Sequence, residues 1–159
     1  MLLSLLLACE GGLDGNCGTY DANFASHQAE VEDATETCGT LGAYVEIDSE
    51  SPDTAVLALS PDWPSGYDFL GELMVFAITF PVTALVDGGE SDLGGTMTET
   101  SDFSKMDVVS GHVEVGETKD PEPGTDAVPT KMKWEVRLED GAESWFDGGG
   151  EDWVSVATW

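Results

Sequence analysis

Basic residues are nearly missing from this chain: 5 Lys and Arg stand against 32 Asp and Glu among 159 residues, a formal charge of -27. Neutralising a phosphate backbone takes clustered cations, so nucleic-acid binding is excluded, and so is a basic patch aimed at a membrane surface. Long apolar runs are missing too. None approaches the roughly 20 residues that a helix needs to cross a bilayer. Histidine is scarce, with only His27 and His112 available as general bases. Neither stands in a G-x-S-x-G, H-E-x-x-H or phosphate-cradling glycine signature. Carboxylates are so numerous that no single pair stands out for acid and base work. The sequence offers no case for an enzyme.

What remains is enough for a core. The apolar fraction is 41%, too high for a disordered chain, and the length suits one domain. Period-2 alternation dominates. The clearest instance is residues 131–139, where Met132, Trp134, Val136 and Leu138 alternate with Lys131, Lys133, Glu135, Arg137 and Glu139. That pattern predicts a half-buried antiparallel strand. Residues 19–25, 44–48, 54–59, 82–86, 108–115 and 153–158 read as further strands, with Gly111 a point of bulging or close approach. Residues 73–80 (LMVFAITF) are continuously apolar and fit a central strand covered on both faces, with a short buried helix as the alternative that periodicity leaves open. Residues 27–36 are the best helical candidate, and 67–71 suit a helical turn. Acidic Gly-rich clusters at 87–89, 91–95, 120–124 and 147–150 read as the turns, and 119–129 as a long exposed loop. The expectation is an all-β fold: a single antiparallel β-sandwich, or a small β-barrel-like domain, over residues 18–159.

The chain opens MLLSLLLACEGG. A short apolar segment ends at a small residue and a cysteine, then turns polar. This resembles the lipobox of bacterial lipoproteins, with Leu6, Leu7 and Ala8 in the three positions before the modified cysteine. The resemblance covers about a dozen residues. It implies that residues 1–8 are a signal peptide and that Cys9 is acylated. It further implies a bacterial envelope location, with the membrane reached through that lipid. Residues 9–17 would then form the lipidated cysteine and a Gly-rich tether. Three cysteines leave one unpaired in any disulfide scheme. With Cys9 carrying lipid, Cys17 and Cys38 remain as a pair for an oxidising compartment, worth about 3 kcal/mol in the chain-entropy model.

Two further features bear on binding. Calcium takes several oxygen ligands, and acidic Gly-rich loops supply them. Candidate ligands are Asp87, Glu90 and Asp92 in VDGGESDLGG, and Asp147, Glu151 and Asp152 in FDGGGEDW. Neither segment matches the D-x-[DN]-x-[DN]-G loop. Tryptophans concentrate near the end of the chain. Trp134 belongs to the apolar face of its strand, which leaves Trp145 and Trp153, flanking a loop, as rings that could stack on a sugar. The terminal Trp159 resembles the last aromatic of outer-membrane barrels, but Ala157 and Ser155 interrupt the apolar alternation that such barrels carry. The first reading is a lipid-anchored envelope protein with a structural or binding role, its partner an envelope protein or glycan. The second is an exported calcium- or carbohydrate-binding module.

Overall fold

A computed structural model describes residues 18–23, 37–61, 76–94, 106–121, 123–139 and 145–158. The chain forms eight strands: β1 (Thr19–Asn23), β2 (Thr37–Ile47), β3 (Thr54–Pro61), β4 (Phe76–Pro81), β5 (Glu90–Asp92), β6 (Asp107–Thr118), β7 (Val128–Glu139) and β8 (Trp145–Thr158). All lie in one sheet, in the order β4-β3-β2-β1-β8-β7-β6-β5. Consecutive strands are neighbours within β1–β4 and within β5–β8, two up-and-down runs joined where β1 lies beside β8. The sheet curls until its two ends meet at an antiparallel bridge between Thr79 and Gly94. The all-β expectation holds, in its barrel-like form.

One neighbour relation breaks the antiparallel rule. The short β1 lies between β2 and β8, antiparallel to both. Beyond it β2 and β8 pair directly and in parallel, from Tyr44 opposite Ser155 to Ile47 opposite Thr158. Thus β1 is a wedge that spreads two strands at one end of the barrel and lets them join at the other.

Side chains sort by the strand period. Along β7, Thr130, Met132, Trp134, Val136 and Leu138 are buried, and the residues between them face water. Val45, Leu57, Ile78, Val113 and Phe146 point to the same interior from five other strands. Eight strands give an interior just wide enough for side chains to fill. The Tyr20 and Phe146 rings stack with centroids 5.3 Å apart, and Phe76 meets Phe146 at 4.5 Å. A membrane-spanning barrel carries an apolar band on its outside. Here the outward row of β7 is Lys131, Lys133, Glu135, Arg137 and Glu139.

Several local expectations need correction. Residues 147–150 are not a turn: they lie within β8, a continuous strand of 14 residues. The glycines serve close approach there. A Cβ on Gly149 would stand 2.9 Å from the Trp134 carbonyl oxygen, and one on Gly18 would stand 2.5 Å from the Gly149 oxygen. Residues 82–84 form a 3₁₀ turn instead of a strand, because Pro81 ends β4 and Leu85 N–H donates back to the Val82 oxygen. Residues 91 and 92 belong to β5 and not to a turn. The 76–81 strand is buried on one face only, through Phe76, Ile78 and Phe80, because each alternates with a residue turned outward. In β6 the register shifts between Val108 and Ser110, which turns Val109 outward beside Gly111. A Cβ on Gly111 would meet Leu93 Cβ at 2.8 Å, so close approach is indeed its role. The helical candidates at 27–36 and 67–71 lie outside the described residues.

Candidate functional site

The sequence-derived site residues fall into separate places. Cys9 and Cys17 lie outside the described residues. The backbone of Cys38 is in β2, opposite Asp21 of β1. The Cys17–Cys38 pair thus has one member outside the described residues.

Of the first acidic group, Asp87 stands exposed in the turn that follows the 3₁₀ segment, where Gly88 takes φ +77. That turn is pinned to β6, with Gly88 N–H donating to the Val115 oxygen at 2.8 Å. Glu90 and Asp92 project outward from β5 on either side of His112 of β6. His112 Nδ1 lies 3.4 Å from Asp92 Oδ1, and Nε2 lies 3.9 Å from Glu90 Oε2. Sequence reading did not connect this histidine to those carboxylates. The register, with Asp92 opposite His112, is what joins them.

The second acidic group is split by the strand period. Asp147 and Glu151 stand on the outer face of β8, while Asp152 falls on the inward-facing register, opposite the buried Met132. Asp152 Oδ1 accepts a hydrogen bond from the backbone N–H of Trp153 at 2.7 Å. Asp147 Oδ2 is 3.4 Å from Arg137 Nη1, and Glu151 Oε1 is 3.6 Å from Lys131 Nζ. Among the described residues, no group of three or more His, Cys, Asp or Glu side chains is arranged to hold a metal ion.

Trp145 and Trp153 are both half-buried on the outer row of β8, at either end of a strand segment and not around a loop. Each ring carries a cation: Arg137 Cζ lies 4.5 Å from the Trp145 centroid, and Lys119 Nζ lies 3.5 Å from the Trp153 centroid. A stacking sugar would have to displace that cation from any face it covers, at about 0.5–1 kcal/mol for an exposed pair. Between the two rings, Lys133 pairs with Glu114 at 3.2 Å, and Arg137 also holds Glu139 at 3.0 Å. The outer surface of β7 and β8 is thus a lattice of cross-strand ion pairs bounded by two cation-capped indoles.

On β2, where it runs directly alongside β8, burial acts on two outward groups. It pushes the Tyr44 hydroxyl up to about 12, with the Glu46 carboxylate adding to the effect. Burial also raises Glu46 itself above the usual carboxylate range. Inside the barrel, the indole Nε1 of Trp134 is buried with no hydrogen-bond partner among the described residues. Its Cζ2 edge would stand 3.1 Å from a Cβ built at Gly18. No family model, curated protein or solved structure matches the chain.

Proposed function

We propose that the chain is a lipid-anchored protein of the bacterial cell envelope, held through Cys9, whose barrel serves as a structural or binding body without catalysis. The observation that supports this reading is the opposition of two surfaces in one molecule. The barrel turns its apolar side chains inward and a charged row outward on β7, so the described body has water as its natural surroundings. The only strongly apolar stretch ahead of it is the segment that ends at Cys9. A soluble body joined to such a segment is what the lipobox resemblance implies, and the Gly-rich residues 10–16 supply the tether.

The geometry of the acidic residues favours this reading over a calcium module. Asp147 and Glu151 are engaged with cations, and Asp152 faces the other way. Calcium needs about six to eight converging oxygens. The decisive experiment is metabolic labelling with palmitate followed by membrane fractionation. Wild type is expected to take up label and pellet with membranes, and Cys9→Ser to do neither. Label retained by Cys9→Ser would reject the anchor.

A further inference from the structure

Four of the chain's five basic residues, Lys119, Lys131, Lys133 and Arg137, gather on one side of the barrel; the fifth lies outside the described residues. Three of them form the outward row of β7, and Lys119 reaches over from the loop between β6 and β7. Their carboxylate partners on β6, β7 and β8 nearly balance them. On the other described strands and turns the outward charges are acidic, including Glu46, Asp48, Asp53, Asp87, Glu90 and Asp92. In a molecule of charge -27, the β7–β8 surface is therefore the one place among the described residues where like-charge repulsion is locally cancelled.

The same surface carries Trp145 and Trp153, on one face of one strand and eight residues apart, about 26 Å at the strand rise. Indole combines an apolar body with an N–H donor and favours the headgroup level of a bilayer. Each of these rings is faced by the charged end of a basic side chain, Lys119 over Trp153 and Arg137 over Trp145. The stretch between the two rings, Asp147, Gly149 and Glu151, offers no apolar anchor of the kind that forms the centre of a protein interface.

We infer that this β7–β8 face is where the body rests on the phospholipid headgroups of the membrane that holds it. A charge-balanced lattice matches zwitterionic headgroups, and the anionic lipids of the same leaflet repel the acidic remainder of the barrel. The strands then lie along the bilayer plane, with both indoles at the interface. The inference rests on the anchoring reading, since a tether of residues 9–17 spans at most about 30 Å and keeps the body within reach of the surface.

The test separates the two ideas. The full chain is coupled through Cys9 to a maleimide lipid, with the coupling site confirmed by peptide mass. It is then placed on vesicles of phosphatidylethanolamine and phosphatidylglycerol doped with a headgroup nitroxide. Coupling puts the body at a bilayer whether or not cells acylate Cys9, so failed palmitate labelling sinks the anchor alone. The nitroxide is expected to quench tryptophan emission. Trp145→Phe and Trp153→Phe should each remove part of the quenchable emission, and Trp134→Phe none. Quenching that is absent, or unchanged in both outer variants, overturns the docking face. Hydroxyl-radical footprinting of the wild-type chain gives the same answer without substitution: oxidation of Trp145 and Trp153 falls on vesicles, and equal oxidation with and without vesicles rejects the face.

Discussion

Thr79 and Gly94 fasten the two ends of the sheet to each other. Thr79 N–H donates to the Gly94 oxygen at 3.0 Å, Gly94 N–H donates to the Thr79 oxygen at 2.9 Å, and the Thr79 hydroxyl reaches the same Gly94 oxygen at 3.0 Å. Two residues further along β4 stands Pro81, which has no N–H for another rung, and the chain then turns into the 3₁₀ segment. Among the described residues this is the only pairing between β4 and its neighbour across the seam.

Substitution at Gly94 separates the hydrogen bond from the space around it. Nothing lies within 4 Å of a Cβ built at Gly94. Gly94→Ala is therefore expected to be neutral or to stabilise by up to about 1 kcal/mol, through a less flexible unfolded chain. Gly94→Pro loses the donor and should cost about 1–3 kcal/mol. Urea unfolding midpoints measure both. Equal midpoints for the two variants would show that the seam bond contributes nothing.

Gly18→Ala has the opposite expectation. Its Cβ would sit 2.5 Å from the Gly149 oxygen and 3.1 Å from Trp134 Cζ2, against backbone and a buried ring that have no room to give. A loss of about 1–3 kcal/mol follows from overpacking. Calorimetric melting of Gly18→Ala beside Gly94→Ala makes the comparison, and equal melting temperatures would contradict the close approach of β1 to β8.

Replacing Glu46 tests the cost of burying its charge. Its folded pKa is raised by burial, so the folded state holds the proton more tightly than the unfolded chain does. The destabilising contribution is present above the folded pKa and disappears as pH falls through it. Glu46→Gln should raise the melting temperature at pH 7, with the gain fading towards the ordinary carboxylate range near pH 4. Tyr44 acts at the alkaline end. With its hydroxyl pushed up to about 12, the unfolded chain ionises first, and stability falls as pH rises past about 10. Tyr44→Phe should remove that part of the alkaline loss in pH-dependent melting. An unchanged alkaline profile would contradict the burial of Tyr44.

Charge repulsion predicts a salt response. With -27 formal charges on a small barrel, the melting temperature should rise between dilute buffer and about 1 M salt, where the Debye length shrinks to roughly 3 Å. Calcium and magnesium should act alike at matched ionic strength, because Asp147 and Glu151 are paired with cations, Asp152 lies on the other face of the sheet, and no three candidate carboxylates among the described residues are arranged to hold a metal. A flat salt curve would remove the repulsion argument. A gain specific to calcium would reveal a site that the described residues do not assemble.

Alternation alone placed Trp134, Val136 and Leu138 inside and Lys133, Glu135 and Arg137 outside, because a strand's period of two is a property of the chain itself. The excess of acid and the lipobox-like start are likewise legible in the sequence without any fold. Alternation carries no information about which strand lies alongside. Residues 147–150 look like a turn until Gly18 and Trp134 are found packed against them. His112 gains its two carboxylates only through the β5–β6 register, and the stacking candidates Trp145 and Trp153 gain their cations only through β7 and its preceding loop. Composition also could not show that the few basic residues share one face. The strand period fixes the face a residue takes, but the closure of the barrel decides what stands beside it.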